Sequence, residues 1–101
     1  MSKLVYISHT YKTVDKSYSA ALYALRKGYI PIDPFLTLPP PVLDIIGLNE
    51  NERLELDFKL LDKCGELWVF GEITKGVKAE IEWWESRGNT VRYINWSELN
   101  E

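Results

Sequence analysis

The sequence predicts an α/β domain in which a parallel sheet of about four strands is flanked by helices. Short apolar runs alternate with longer amphipathic segments, and this β-α-β order produces parallel strands joined by right-handed crossovers. The 101 residues are enough for one domain, residues 1–101, and too few for two. Hydrophobic residues make up 46% of the chain and charged residues 27%, the composition of an ordinary globular protein.

Two strands and one helix are predicted in the first third of the chain. Residues 3–8 form a nearly continuous apolar run, as expected of a central strand buried on both faces. Asp15 is the expected N-cap of a helix that reaches about Lys27. The apolar side of this helix is expected to contain Tyr18, Ala21, Leu22 and Leu25. Residues 29–33 form a short second strand, and Pro31 places it at a sheet edge because proline lacks the N–H group.

Proline dominates the next segment, residues 34–49. Its prolines are Pro34, Pro39, Pro40 and Pro41. Because proline breaks helices and sheet ladders, we expect an apolar loop here, with a short helix near residues 42–46. Long loops in compact domains often serve as lids over a binding site.

The remaining chain continues the alternation of helices and strands. The predicted elements are a helix over about 50–63, a strand over 66–70, a helix over about 76–87, a strand over 90–94 and a helical turn over 96–99. With strands in the order 2-1-3-4, this is a small three-layer domain of the flavodoxin or Rossmann type. In such sheets ligands bind beyond the carboxyl ends of the strands, here between strands 1 and 3.

Composition argues against several classes of function. The net charge is −3 and no basic stripe is present, so duplex nucleic acid is not an expected partner. One histidine, His9, and one cysteine, Cys64, argue against a disulfide, a zinc site or any other metal site. No apolar run is long enough to cross a membrane, and we expect no signal peptide because the first residues lead directly into a predicted strand. We therefore expect a cytoplasmic protein without a cofactor.

Two carboxylates fall on the apolar sides of predicted helices. At about 100° per residue, Asp57 lies within the apolar arc of the second helix and Glu80 within that of the third. Buried carboxylates need partners, because the loss of hydration costs several kcal/mol. One interpretation is structural, with pairing to Arg53, Arg87, Arg92 or backbone amides. The other is that both carboxylates face the ligand cleft, where burial adjusts their acidity for catalysis.

Hydroxyl-rich loops follow strands 1 and 3 and lead into helix N-termini, which can bind phosphate through free amides. Ordinary turn and capping chemistry is the alternative for either loop. Their candidate binding residues are Ser8, His9, Thr10, Tyr11, Gly71, Thr74 and Gly76. His9 is either a simple loop residue or a phosphate contact and proton carrier. Tyr11 and Phe35 are the candidates for stacking on a ring of the ligand.

Four segments together carry a resemblance to a known family. They are residues 5–8 (VYIS), 28–34 (GYIPIDP), 57–70 (DFKLLDKCGELWVF) and 74–81 (TKGVKAEI). The last contains a hydroxyl-x-Gly-x-x-x-Glu pattern. On these segments the chain resembles the nucleoside 2-deoxyribosyltransferase superfamily, which includes deoxynucleoside 5′-monophosphate N-glycosidases and many small uncharacterised members.

The resemblance implies an enzyme that acts on a small nucleoside or nucleotide. Glu80 matches the family's nucleophile, which forms a glycosyl-enzyme ester and passes the sugar to water or to another base. Asp57 matches the substrate-orienting acid and Tyr6 a strand-1 tyrosine. Ser8 and Thr74 match positions that contact sugar or phosphate. Family members are commonly homo-oligomers with shared sites, so a homodimer or larger homo-oligomer is expected. Three tryptophans expected at the surface fit that expectation: Trp83, Trp84 and Trp96.

The chain departs from the family pattern in the loop after strand 1. Phosphate-specific members have Gly and Arg there, whereas residues 9–12 read HTYK, with Lys12 as the available cation. The main alternative function is a non-catalytic nucleotide or nucleotide-sugar binding module on the same scaffold. A further alternative is an FMN protein, because Ser8, Thr10 and Thr13 have the spacing of a flavodoxin phosphate loop, although Tyr11 replaces its Gly.

Overall fold

Four parallel strands in the order β2-β1-β3-β4 form the centre of the computed structural model, which describes residues 3–99. The strands are β1 (Leu4–Ser8), β2 (Ile30–Ile32), β3 (Glu66–Phe70) and β4 (Val91–Ile94). In the register of the sheet, Tyr6 of β1 lies between Ile32 of β2 and Leu67 of β3. The predicted fold class and strand order are confirmed, and β2, which contains Pro31, is an edge strand.

Helices cover both faces of the sheet. They are α1 (Ser17–Arg26), α2 (Pro34–Thr37), α3 (Pro40–Ile46), α4 (Glu50–Asp62) and α5 (Lys75–Glu85), with 3-10 helices at Tyr11–Lys16 and Trp96–Leu99. Val5 and Ile7 share one core cluster with residues of α1, whereas Tyr6 belongs to the cluster formed with α4 and α5. Because side chains alternate along a strand, Tyr6 and Ser8 project towards the α4–α5 face.

The predicted start and apolar side of the first helix are wrong. Asp15 lies inside the 3-10 helix, whose N-cap is Thr10, and α1 begins only at Ser17. The buried residues of α1 are Ser17, Ala20, Tyr23 and Ala24, whereas Tyr18, Leu22 and Leu25 are exposed. Small residues let α1 lie close to the sheet, and Tyr23 contacts Trp68 and Phe70 edge-to-face. The hydrophobicity of the side chains alone therefore predicts the wrong buried side for α1.

The proline-rich segment is more helical than predicted. Its prolines occupy helix starts, where the missing N–H would have had no intrahelical partner. Pro34 follows the N-cap Asp33, whose Oδ1 accepts a hydrogen bond from the Phe35 N–H at 2.9 Å. Pro39 is the N-cap of α3, and Gly47 ends this helix in the left-handed conformation at φ 84°. The residues expected to form a loop therefore form α2 and α3, and the predicted short helix begins at Pro40.

The second half of the chain follows the prediction closely. A capping box starts α4: the Glu52 N–H donates to Asn49 Oδ1, and the Asn49 N–H donates to Glu52 Oε1. β3 has the predicted bounds, and the predicted final turn is a 3-10 helix. Trp84 is buried and Trp83 is stacked on Phe58, so the expectation that three tryptophans are exposed is wrong. Within residues 3–99, no helix is long and apolar enough to cross a membrane.

Candidate active site

A cleft of about 490 Å³ lies at the carboxyl ends of β1, β2 and β3. This volume is in the range of sites that bind small molecules. The loop after β1, the α2–α3 segment (residues 34–46), α4 and the first turns of α5 form its walls. The lining residues are His9, Thr10, Tyr11, Pro34, Phe35, Leu38, Pro40, Leu43, Arg53, Asp57, Thr74, Gly76, Val77 and Glu80.

Glu80 lies in the inner wall of the cleft and is only 5% exposed. The Ser8 hydroxyl donates a hydrogen bond to its Oε1 at 2.7 Å, and the Tyr6 hydroxyl donates to its Oε2. These two donors are two residues apart on β1, so they project to the same side of the sheet, onto which α5 packs. Both carboxylate oxygens are thereby fixed by neutral donors.

Burial is the main influence on the acidity of Glu80 and of its partner Tyr6. It raises the pKa of Glu80 to about 7, an effect that the hydrogen bonds from Ser8 and Tyr6 partly oppose and the charge of Asp57 increases. Burial, followed by the negative charges of Glu80 and Asp57, holds the pKa of Tyr6 well above its ordinary value. Tyr6 therefore stays protonated and remains a donor to Glu80 throughout the physiological pH range.

Asp57 lines the same cleft, and burial raises its pKa to about 6. Its side chain forms no hydrogen bond and no ion pair with any residue between 3 and 99. The arginines that the structural interpretation would pair with it have other partners. Arg53 binds Asp44, and the guanidinium groups of Arg87 and Arg92 lie over Trp83 and Trp68. Asp57 is thus a carboxylate without a protein partner in the described chain, and it faces the cleft.

His9 lines the cleft, but its ring nitrogens are engaged within the protein. Nε2 lies 2.7 Å from Asp33 Oδ2, and Nδ1 lies 2.9 Å from Thr13 Oγ1. The side chains of His9 and Asp33 are completely buried, and the His9 ring contacts Phe35 edge-to-face at 5.1 Å. His9 therefore joins the end of β1 to the start of α2, and both of its ring nitrogens already contact protein atoms.

Aromatic and hydroxyl side chains line the remainder of the cleft. Tyr11 and Phe35 contact each other edge-to-face at 5.2 Å, and Tyr11 is half-exposed. Thr10 accepts the Lys12 N–H through its side chain. Thr74 is the N-cap of α5, yet its side chain makes no capping hydrogen bond. Its hydroxyl and the first amides of α5, at Gly76 and Val77, are therefore available to a ligand.

Residues 3–94 match the family model described as a domain of unknown function (DUF7768). The chain belongs to this family. Neither the curated proteins nor the solved structures contain a match to the sequence. Within residues 3–99 of this DUF7768 domain, no group of three or more His, Cys, Asp and Glu side chains could hold a metal ion.

Gly71 has a structural position in the DUF7768 domain. It adopts φ 72°, and a Cβ atom at this position would lie 2.5 Å from Trp96 Nε1. It is not among the residues that line the cleft. Gly71 therefore allows the turn after β3 to pass close to the Trp96 indole, and it is not positioned to contact a ligand in the cleft.

Two polar residues near the cleft of this DUF7768 domain were not predicted as functional from the sequence. Asp33 holds His9, and the Asp-Pro pair that starts α2 is the sequence signal that could have identified it. Arg53 lines the cleft directly. It precedes Asp57 by four residues, a spacing that places two side chains on the same side of a helix.

Proposed function

We propose that this protein is an N-glycosidase or deoxyribosyltransferase that cleaves the N-glycosidic bond of a (deoxy)nucleoside or nucleoside 5′-monophosphate through Glu80. The main support is the buried Glu80 carboxylate, held by Tyr6 and Ser8 in the wall of a cleft that also contains the unpaired Asp57. Two carboxylates in one cleft form the usual apparatus for glycosidic bond cleavage. The resemblance of residues 57–70 and 74–81 to the deoxyribosyltransferase superfamily agrees with this assignment.

The reaction assigned to Glu80 is a double displacement. One carboxylate oxygen attacks the anomeric carbon, and the bond from that carbon to the base breaks with its electron pair going to the base nitrogen. The base accepts a proton from solvent and leaves, and the sugar remains as an ester of Glu80. Water, or a nitrogen atom of a second base, then attacks the same carbon, loses a proton to solvent and releases the carboxylate. Two inversions give net retention at the anomeric centre.

The surroundings of Glu80 suit this chemistry. A desolvated carboxylate with a pKa of about 7 is more basic than an exposed glutamate, yet a large fraction of it is ionised at neutral pH. Positive charge develops on the sugar in the oxocarbenium-like transition state, and a nearby carboxylate in a water-poor cleft stabilises that charge. The hydrogen bonds from Tyr6 and Ser8 hold both oxygens in position, which reduces the entropic cost of the attack.

The other walls supply the contacts that a nucleoside requires. Asp57 has free acceptor oxygens for a sugar hydroxyl or a base N–H group. Tyr11 and Phe35 offer aromatic surface to the base. Thr74 and the first amides of α5 are unsatisfied donors for the sugar side of the substrate.

The decisive experiment measures base release from a panel of nucleosides and their 5′-monophosphates by chromatography. Glu80→Gln keeps the size of the side chain but removes the nucleophile, so we expect its rate to fall by more than about 100-fold. Glu82→Gln is the matched control, because Glu82 is exposed on the same helix. Turnover by the Glu80→Gln variant would disprove the assignment of the nucleophile. Ligand binding by a folded wild type that releases no base would instead support the non-catalytic binding module.

A further inference from the structure

Positive charge in the cleft comes from a single side chain of the described region. Arg53 is the only Lys or Arg among the cleft-lining residues within 3–99. Lys12, the cation of the loop after β1, does not line the cleft. Its side chain is 77% exposed and its Nζ lies 4.0 Å from Glu72 Oε1. Among the described residues, a negatively charged ligand group in this cleft can therefore be recognised by the free amides at the start of α5 or by a full positive charge only from Arg53 on α4.

The Arg53 side chain is held in position but is only partly occupied. Its Nε–H donates to the Leu48 carbonyl at 3.0 Å, and one Nη2–H donates to Asp44 Oδ1. A guanidinium has five N–H donors, and the others have no partner among residues 3–99. The side chain is 30% exposed, so these donors are accessible to a ligand.

Asp44 is a replaceable partner for Arg53. Its side chain is 68% exposed on α3, and exposed ion pairs contribute little because water screens them. A phosphate group carries more charge than a carboxylate and can accept two parallel N–H bonds from one guanidinium. A phosphate that enters the cleft should therefore take the place of Asp44 and leave the bond to Leu48 intact.

The direction of the guanidinium separates this position from the reacting carboxylates. Arg53 is one helical turn from Asp57, yet its Nε–H and Nη2–H donate to Leu48 and Asp44 and not to Asp57. The guanidinium is thus directed towards α3. A phosphate bound there would avoid the repulsion of Asp57 and Glu80, while the rest of the substrate could still reach them.

We propose that Arg53 is the phosphate-recognition residue of the cleft and selects a nucleoside 5′-monophosphate over the nucleoside, with Asp44 as the competing partner of its guanidinium in the free protein. This inference rests on the proposed function for its substrate class. The recognition itself depends only on Arg53, its unoccupied donors and its exchangeable partner.

The first test compares kcat/KM for a nucleoside and for its 5′-monophosphate. The ratio of interest is kcat/KM for the monophosphate divided by kcat/KM for the nucleoside. We expect Arg53→Gln to lower this ratio by about 10- to 100-fold, because it removes a charge-assisted pair of hydrogen bonds. Arg53→Lys should keep part of the preference, since it retains charge without the planar geometry. Asp44→Asn removes the competitor and leaves Arg53 in place, so the ratio should rise by up to about 5-fold.

A second measurement separates this inference from the proposed function. Calorimetry with the Glu80→Gln variant reports the binding of nucleoside and 5′-monophosphate without turnover. Preferential binding of the monophosphate that is lost in the Glu80→Gln/Arg53→Gln double variant supports the inference, even if the wild type releases no base. Equal affinity for both ligands overturns it. Base release with a preference that neither Arg53→Gln nor Asp44→Asn changes also overturns it, while the function assigned to Glu80 would stand.

Discussion

Two buried carboxylates, Asp33 and Glu80, have different partners: Asp33 lies next to the cleft-lining Pro34, whereas Glu80 lines the cleft itself. Asp33 is 3% exposed and Glu80 is 5% exposed. Asp33 binds the His9 ring and the Phe35 amide, so its oxygens are used to connect β1, β2 and α2. Among residues 3–99, only the neutral hydroxyls of Tyr6 and Ser8 hold the Glu80 carboxylate, and Glu80 reaches the cleft. Two carboxylates that are buried to a similar extent therefore have different roles.

The difference lies in what compensates for the loss of hydration. The His9 ring and a backbone N–H satisfy the two oxygens of Asp33 within the protein, which is the arrangement of a structural group. Neutral donors fix the geometry of Glu80 but leave its charge uncompensated, and burial raises its pKa to about 7. A cationic ligand or a transition state with developing positive charge would complete the Glu80 site.

The largest expected effect on stability tests the structural role of Asp33. Asp33→Ala removes the partner of buried His9 and the N-cap of α2, so we expect the free energy of unfolding to fall by about 3 to 5 kcal/mol. Asp15→Ala is the control, because Asp15 is exposed and lies inside the 3-10 helix. Its effect should stay within about 0.5 kcal/mol. Urea denaturation measures both, and similar losses would refute the distinction.

The pH dependence of stability tests the uncompensated charge of Glu80. Its pKa is about 7 in the folded protein and 4.5 without the fold, so the folded state binds the proton more tightly. The stabilisation is complete below pH 4.5 and is lost as the pH rises through 7. The expected loss is about 3 kcal/mol, from 1.36 kcal/mol for each pH unit.

The Glu80→Gln variant is the comparison for this measurement, because an amide does not titrate. We expect its free energy of unfolding to exceed that of the wild type at pH 8 and the difference to vanish near pH 4.5. Part of the pH dependence should remain in the variant, because burial also raises the pKa of Asp57 to about 6. Parallel stability curves for the two proteins would show that Glu80 is compensated in a way that the structure does not reveal.

Gly71 and Gly76, on the loop and helix after β3, differ in the same way: Gly71 has a structural position and Gly76 lines the cleft. Gly71→Ala introduces a side chain at φ 72° and against Trp96, so it should cost about 1 to 3 kcal/mol of stability. Gly76 lines the cleft and has open space around the position of a Cβ atom. Gly76→Ala should change stability by no more than about 1 kcal/mol, in the stabilising direction.

For activity, the order of the two glycine variants should be reversed. At saturating substrate and at a temperature where both variants are folded, Gly71→Ala should keep its turnover, whereas Gly76→Ala should have a raised KM because its methyl group occupies cleft volume. Thermal denaturation and steady-state kinetics on the same samples measure the two effects. A raised KM in Gly71→Ala alone would mean that the turn after β3 contacts the substrate.

Strand positions and the two cleft carboxylates could be predicted from the sequence because each leaves a local signal. Buried strands appear as short apolar runs, and Asp57 and Glu80 interrupt the apolar sides of amphipathic helices. The side that α1 buries could not be predicted, because Ala20 and Ala24 pack closely without being strongly hydrophobic. The prolines led us to expect a loop over residues 34–41, although proline is acceptable in the first turn of a helix, where α2 and α3 place it.

Contacts between distant residues also left no signal in the sequence. The pair of His9 and Asp33 joins two strand ends that are 24 residues apart. The exchangeable pair of Arg53 and Asp44 depends on where α3 lies against α4. Sequence periodicity reports the side of one helix or strand, and it contains no information about which residue of another element will face it.

The smallest expected effect concerns the hydrogen bond between Tyr6 and Glu80. This bond lowers the pKa of Glu80 against the effect of burial. Tyr6→Phe removes the bond while preserving the ring, so more alkaline conditions should be needed to ionise Glu80. We expect the pH of half-maximal kcat/KM to rise by about 1 pH unit, which corresponds to the net value of one hydrogen bond to a charged group.

Tyr93→Phe is the control for this last prediction, because Tyr93 is exposed on β4. The pH–rate profile of that variant should coincide with the wild-type profile. A lower rate in Tyr6→Phe with an unchanged midpoint would mean that Tyr6 only positions Glu80. The raised pKa would then arise from burial and Asp57 without opposition from Tyr6, and Ser8 alone would stabilise the ionised carboxylate.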